Sequence, residues 1–163
     1  MKPDKIYIDN SVLIRWFLHK LFPKKHKNIP QIIRFLTEHK EIKKFISILS
    51  VAELVHTLKY GKDFQSFRLK LNYILDSLVE LQKAMDMEVI TKENISGMEI
   101  NGIIISENVV KFVDNHQHLL DCIHADLAKS HDLFFITHEK NMGVLKEFYD
   151  KIMTDDKLMK QYA

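Results

Sequence analysis

The stretch KIYIDNSVLI, residues 5–14, decides how the rest of the chain is interpreted. Its apolar run from Ile6 to Ile8 has the β-branched and aromatic composition of a buried strand, and Asp9 stands where that strand ends. In an open α/β sheet the carboxyl ends of the strands face the crevice in which ligands bind. A carboxylate placed there needs a cation or several hydrogen bonds, although Asp9 would equally serve as the cap of the following helix.

Further apolar segments alternate between strand and helix patterns along the chain. The predicted later strands are 45–49, 87–90 and 133–137, and residues 102–105 fit either a short strand or the entry to a helix. The predicted helices are 12–21, 31–40, 50–60, 63–85, 106–131 with a break near His116, and 143–152. This alternation predicts a three-layer α/β/α sandwich with a central, mostly parallel sheet, formed as a single domain over residues 1–163.

Composition restricts the class of protein. The 163 residues are 46% hydrophobic, which is enough for a sizeable core, and a single cysteine excludes an internal disulfide. No uninterrupted apolar run reaches membrane-spanning length and no signal-peptide pattern opens the chain. We therefore expect a cytoplasmic protein that does not enter the membrane.

Charge is distributed unevenly between the two parts of the chain. Residues 1–70 hold 15 Lys and Arg against 6 Asp and Glu, whereas residues 71–163 hold 9 against 16. This asymmetry predicts one surface that binds polyanions and another that is rich in carboxylates. The candidate residues for binding a polyanion cluster in a basic turn after the first helix and comprise Lys20, Lys24, Lys25 and Lys27, with Lys43, Lys44 and Lys59 as further candidates.

Four carboxylates occupy comparable places relative to the predicted strands. Asp9 and Glu139 follow strand ends, Glu53 lies in the first turn of the helix after the second strand, and Asp121 lies near the start of a late helix. In a parallel sheet these side chains converge on one edge, where hard oxygen ligands suit Mg²⁺ or Mn²⁺. Each has an ordinary alternative: Glu53 completes an S-x-x-E capping box with Ser50, Asp121 complements a helix dipole, and Glu139 is a surface turn residue.

Helix geometry separates Asp121 from Asp126. Five residues at about 100° each place the two side chains about 140° apart on the helix. The companions of Asp121 on its face are His124, Ala125 and Ala128, which are small or polar and would let a ligand approach. Asp126 is expected to be solvated or to lie outside the ligand shell.

The order of these motifs resembles the PIN domain family, which includes the toxin ribonucleases of VapBC toxin–antitoxin pairs. The matching segments are IYIDNSVLI, ISILSVAELVHTL and DCIHADLAKSHDLFFITHEKNM. The resemblance implies a ribonuclease that uses Mg²⁺ or Mn²⁺ bound by Asp9, Glu53 and Asp121. Glu139 stands where the family usually has Asp, and Ser11 and Thr137 match the hydroxyls that orient the carboxylates. RNA, an antitoxin protein and a second copy in a homodimer are the expected partners.

Other functions remain open at this point. The Glu139 replacement favours a catalytically weak PIN-like module that binds RNA or serves in assembly. A metal-dependent phosphohydrolase acting on small substrates is a third possibility, which the basic turn argues against. A zinc site at His116-Gln117-His118 lacks a second ligand pair, and a dehalogenase-type phosphatase would need Asp at the position of Ser11.

Overall fold

The computed structural model describes residues 2–26, 28–62, 64–65, 68–90, 97–100, 103–106, 119–139 and 142–163. In this part of the chain seven strands and seven helices form. The strands are β1 Lys5–Ile8, β2 Lys43–Ser47, β3 Met87–Ile90, β4 Gly97–Ile100, β5 Ile103–Ser106, β6 Phe134–Thr137 and β7 Ile152–Thr154. The helices are α1 Asn10–Leu21, α2 Gln31–Glu38, α3 Ile48–Tyr60, α4 Leu71–Met85, α5 Leu119–Ser130, α6 Gly143–Phe148 and α7 Asp155–Tyr162.

Five strands form one sheet in the order β3-β2-β1-β6-β7, and every neighbouring pair is parallel. The central strand is β1, in which Tyr7 is paired with Phe45 on one side and Phe135 on the other. β4 and β5 form a separate antiparallel hairpin. The predicted α/β sandwich with a mostly parallel sheet is therefore confirmed.

The two faces of the sheet carry different helices because side chains alternate along each strand. Ile6 and Ile8 point into a large core formed with α1 to α4 and α7. Tyr7, on the opposite face, packs in a second core with α5, α6 and Phe135. The first strand is thus buried on both sides, as its continuous apolar run predicts.

Several predicted element boundaries differ from those of the structure. The helix predicted over 63–85 begins only at Leu71, because Arg68 adopts a left-handed φ of 45° that cannot continue a helix. Asp63, Ser66 and Phe67 lie outside the described residues. The second strand ends at Ser47 and α3 begins at Ile48, two residues earlier than predicted.

The C-terminal part contains more structure than its sequence pattern indicates. The predicted helix 143–152 ends at Phe148, and β7 and α7 follow it. The first part of the helix predicted from residue 106 falls on residues 107–118, which lie outside the described residues. Among the helices that the structure describes, none combines the length and the apolar character needed to cross a bilayer.

Candidate functional site

The strand order reverses at β1, which has β2 on one side and β6 on the other. In doubly wound α/β sheets this switch point opens a crevice beyond the carboxyl ends of the two strands. Asp9 follows the end of β1 and Thr137 ends β6, so both lie at this crevice. The backbone N–H of Asp9 donates to Ile136 O at 2.9 Å and extends the pairing of the two strands by one residue.

Asp9 is held through one of its two carboxylate oxygens. Oδ2 accepts hydrogen bonds from Ser11 Oγ, from Thr137 Oγ1 at 2.9 Å and from the backbone N–H of Ser11 at 3.3 Å. The last bond makes Asp9 the N-cap of α1, so the capping interpretation is confirmed. Oδ1 receives no hydrogen bond from the described residues. Ser11 and Thr137 therefore orient the carboxylate as the sequence resemblance predicts.

Glu53 is not part of a capping box. The box at the start of α3 is formed by Ser47 and Ser50, because the helix begins earlier than predicted. Glu53 consequently lies in the second turn of α3. The alternative that its side chain completes a capping box with Ser50 is therefore wrong. Its carboxylate is directed instead toward α1 and α5.

Two side chains hold Oε2 of Glu53. Asn10 Nδ2 donates to it at 2.5 Å, and His124 Nε2 lies 2.9 Å from it. The hydrogen bond from His124 is the main cause that holds the pKa of Glu53 below its usual value, and the charge of His124 and the Asn10 amide act in the same direction. Partial burial opposes them. Glu53 is therefore an anion at neutral pH.

A buried chain of polar side chains continues from His124 into the protein. His124 Nδ1 lies 2.7 Å from Tyr7 OH, which lies 2.8 Å from both Ser47 Oγ and Ser50 Oγ. Tyr7, Ser47 and Ser50 are fully buried and His124 is 1% exposed. The central strand and the start of α3 thus fix the ring that contacts Glu53. Sequence reasoning placed His124 on the face of Asp121 but expected an open surface there.

The remaining predicted ligands lie on elements that lead to the same edge. Asp121 is half-buried in the first turn of α5, three residues before His124. Glu139 follows β6, is exposed, and donates its backbone N–H to Thr137 Oγ1 at 3.1 Å. Asp126, which was expected to be solvated or outside the ligand shell, is only 9% exposed. The ligand roles of Asp121 and Glu139 stay predictions.

The chemistry of the oxygen atoms near Asp9 and Glu53 bears on whether a cation would fit. No group of three or more His, Cys, Asp and Glu side chains able to hold a metal ion occurs among the described residues. However, Asn10 is 5% exposed and its Oδ1 is a buried acceptor without a donor. Asp9 and Glu53 each have a second carboxylate oxygen, and carboxylate and amide oxygens are the ligands that Mg²⁺ and Mn²⁺ prefer. The donor chemistry of these residues therefore fits such an ion.

The sequence argues against a zinc site at His116-Gln117-His118, and the single cysteine is not prepared to bind a metal at neutral pH. Burial and the charge of Asp121 raise the pKa of the Cys122 thiol to about 11, so it is not a thiolate at neutral pH. His116 and His118 lie outside the described residues.

The basic turn stands apart from the carboxylates. α1 starts at the site with Asn10 and ends at Leu21, roughly 17 Å away along the helix axis at 1.5 Å per residue. Lys24 and Lys25, which follow it, are exposed, and Lys27 lies outside the described residues. Lys20 is instead bound to Glu80 at 2.5 Å.

Lys44 is not available for RNA. Its side chain is 1% exposed and donates to His39 O at 2.8 Å.

Sequence reasoning missed a second polar cluster beside the site. Asp155, at the start of α7, is 1% exposed, and its Oδ2 lies 3.0 Å from Arg15 Nη1 and 2.8 Å from His138 Nδ1. His138 also donates its backbone N–H to Ser11 Oγ at 2.9 Å, which connects the cluster to the Asp9 contacts. The only sequence signal was the position of His138 directly after Thr137, because α7 itself was not predicted.

Comparison with known proteins supports the fold alone. No family model and no curated protein matches the chain. A solved structure, PAE2754 from Pyrobaculum aerophilum, is similar over 99% of this chain and 96% of its own, with a TM-score of 0.52 and 16% sequence identity. At this identity the likeness extends to the arrangement of strands and helices and to nothing further.

Proposed function

We propose that this chain is a metal-dependent ribonuclease that cleaves RNA phosphodiester bonds with Mg²⁺ or Mn²⁺ held by Asp9 and Glu53; Asp121 and Glu139 are further acids that the family resemblance adds to the site. The observation that carries the proposal is the position of Asp9 at the switch point of a parallel sheet. Its carboxylate is oriented through one oxygen by Ser11 and Thr137, which leaves the other oxygen for a ligand. The resemblance of the motifs to the PIN domain family supports the same function.

The chain's own residues position two carboxylates. Ser11 and Thr137 fix the side chain of Asp9, and His124 and Asn10 keep Glu53 ionised and oriented. A divalent ion, when bound, would lower the pKa of a bound water and stabilise charge on the leaving oxygen. Because the pKa of Glu53 is lowered without the ion, its carboxylate need not lose a proton to bind the ion at neutral pH.

Exposed lysines supply the attraction for RNA in this proposal. The helix α1, which separates the carboxylates from the turn that carries Lys24 and Lys25, is roughly 17 Å long, a length of about five nucleotide steps at 3.4 Å each along one strand. These lysines would therefore bind phosphates several nucleotides away from the bond that is cleaved. An antitoxin partner and a homodimer stay predictions from the family resemblance.

The test is the variant Asp9→Asn, assayed on a mixed RNA pool with Mg²⁺, Mn²⁺ or a chelator. We expect cleavage by the parent protein with either metal and none with chelator, and loss of cleavage in Asp9→Asn with its fold retained by circular dichroism. The matched control is Asp76→Asn, an exposed acid on α4, which should cleave like the parent. Cleavage that survives Asp9→Asn, or that needs no metal, would overturn the proposal.

A second candidate function is an RNA-binding or assembly module with little nuclease activity. It is favoured by the absence of a three-acid group among the described residues and by the exposed Glu139. RNA binding by the parent without cleavage, and melting curves unchanged by Mg²⁺ or Mn²⁺, would identify this function. A metal that raises the melting temperature favours the nuclease, since an ion that binds only the folded state stabilises it.

A further inference from the structure

The side chain of Asn10 contains a buried oxygen that nothing in the described chain explains. Only two buried side-chain polar atoms lack a hydrogen-bond partner in this part of the protein, Asn10 Oδ1 and Gln161 Oε1. Gln161 belongs to the last helix, whereas Asn10 directly follows Asp9 and begins α1. An unpartnered buried acceptor is destabilising, so its occurrence beside a candidate site requires an explanation.

The orientation of the Asn10 amide follows from its partner. Nδ2 donates to Glu53 Oε2, and an ionised carboxylate can only accept. The nitrogen must therefore face Glu53, which leaves the oxygen as the unpartnered atom. The two polar atoms of one amide are about 2 Å apart, so Oδ1 lies within about 5 Å of Glu53 Oε2.

The neighbours of this oxygen favour a cation over a hydrogen-bond donor. Asn10 follows Asp9 directly in the chain and donates to the carboxylate of Glu53, and both of these acids attract positive charge. Amide and carboxylate oxygens commonly act together in sites for hard divalent cations. The four-acid interpretation of the sequence left Asn10 without a function.

We propose that Asn10 Oδ1 is an oxygen ligand of the divalent cation bound with Asp9 and Glu53, a proposal that rests on the metal site of the proposed function but not on RNA cleavage. The same side chain then has two tasks. Its nitrogen orients Glu53 and its oxygen contacts the ion. This explains how a metal site forms where the described residues contain no group of three acids.

The test compares binding of Mn²⁺ alone by the parent and by two variants, using calorimetry and melting curves. Asn10→Leu keeps the approximate size of the side chain and removes both polar atoms, and it should weaken Mn²⁺ binding about tenfold or more. Asn10→Asp puts a second carboxylate against Glu53. It should lower the melting temperature without metal, and Mn²⁺ should raise it by more than in the parent.

The Asp variant distinguishes a ligand from a merely structural residue. If Asn10 only donates a hydrogen bond to Glu53, Asn10→Asp loses that bond, and the stabilisation by Mn²⁺ will be no larger than in the parent. The control is Asn72→Leu, an exposed position on α4, which should bind Mn²⁺ like the parent. If Asn10→Leu does not fold, Asn10→Ala, which only removes atoms, replaces it.

Three results would overturn the inference: unchanged Mn²⁺ affinity in the Leu or Ala variant, a stabilisation of Asn10→Asp by Mn²⁺ no larger than that of the parent, and absence of any Mn²⁺ binding by the parent. Failure of the proposed function is a separate outcome. A parent that binds Mn²⁺ through Asn10 but does not cleave RNA keeps the inference and excludes the ribonuclease.

Discussion

Tyr7 connects the centre of the sheet with the candidate site through a single hydroxyl. It lies within hydrogen-bond distance of His124, Ser47 and Ser50, and His124 in turn holds Glu53. Tyr7, His124, Ser47 and Ser50 are all buried. An unmade hydrogen bond in the interior costs more free energy than one at the surface. The orientation of Glu53 therefore depends on a residue of the core.

Tyr7→Phe should destabilise the protein by about 1–3 kcal/mol, because the ring still fills its space while three buried polar groups lose a shared partner. Urea denaturation measures the free energy of unfolding. Tyr60→Phe is the control, since Tyr60 is 59% exposed and its change should stay within about 0.5 kcal/mol. Equal effects of the two substitutions would show that the Tyr7 network contributes no stability.

At the scale of elements, α7 determines the surroundings of the site although its sequence pattern is weak. The helix is only eight residues long, and its N-cap Thr154 accepts a hydrogen bond from the backbone N–H of Lys157 at 3.3 Å. Its first residue, Asp155, contacts Arg15 of α1 and His138 after β6. One short helix thus contacts both α1 and the segment after β6, close to the residues that hold the Asp9 carboxylate.

Thr154→Ala should lower the free energy of unfolding by about 1 kcal/mol, because it removes the cap of this helix. Thr154→Ser keeps the hydroxyl and should cost clearly less. Both free energies of unfolding are measured by urea denaturation, with one common slope of free energy against urea concentration. A loss that is as large for Ser as for Ala would assign the effect to the threonine methyl group and not to the cap.

In the whole molecule, the acidic residues of the candidate site and the basic residues of the turn are separated in space. The carboxylates of the candidate site lie at one end of α1 and the exposed lysines of the basic turn follow its other end. RNA long enough to contact both would extend along the surface between them. This arrangement predicts that binding and cleavage respond to different substitutions.

Replacing Lys24, Lys25 and Lys27 by Gln should weaken RNA binding and reduce the slope of log K against log salt by about 2, at roughly 0.7 per phosphate contact on a single strand. The control replaces three exposed lysines elsewhere, Lys62, Lys70 and Lys83, and changes the net charge equally. Fluorescence anisotropy at several salt concentrations measures both. Equal weakening by the two triple variants would show a general charge effect without a defined RNA path.

Periodicity and strand composition were sufficient to predict the sandwich, because alternating apolar segments can bury their surfaces only against one another. They also predicted the end of β1, where Asp9 interrupts an apolar run. The motif order alone indicated Ser11 and Thr137 as the partners of Asp9. The boundaries near 61–70 could not be predicted, since a single left-handed residue, Arg68, ends a helical pattern that otherwise continues.

The partners of the site residues were decided by tertiary structure. Asn10, Glu53 and His124 belong to three different helices, and only their packing brings one amide and one imidazole onto the same carboxylate oxygen. The orphaned oxygen of Asn10 exists for the same reason, because an amide is unpartnered only when the surrounding chain excludes water and offers no donor. The sequence determined which residue types reach this edge of the sheet, and the packing of α1, α3 and α5 decided which of them meet.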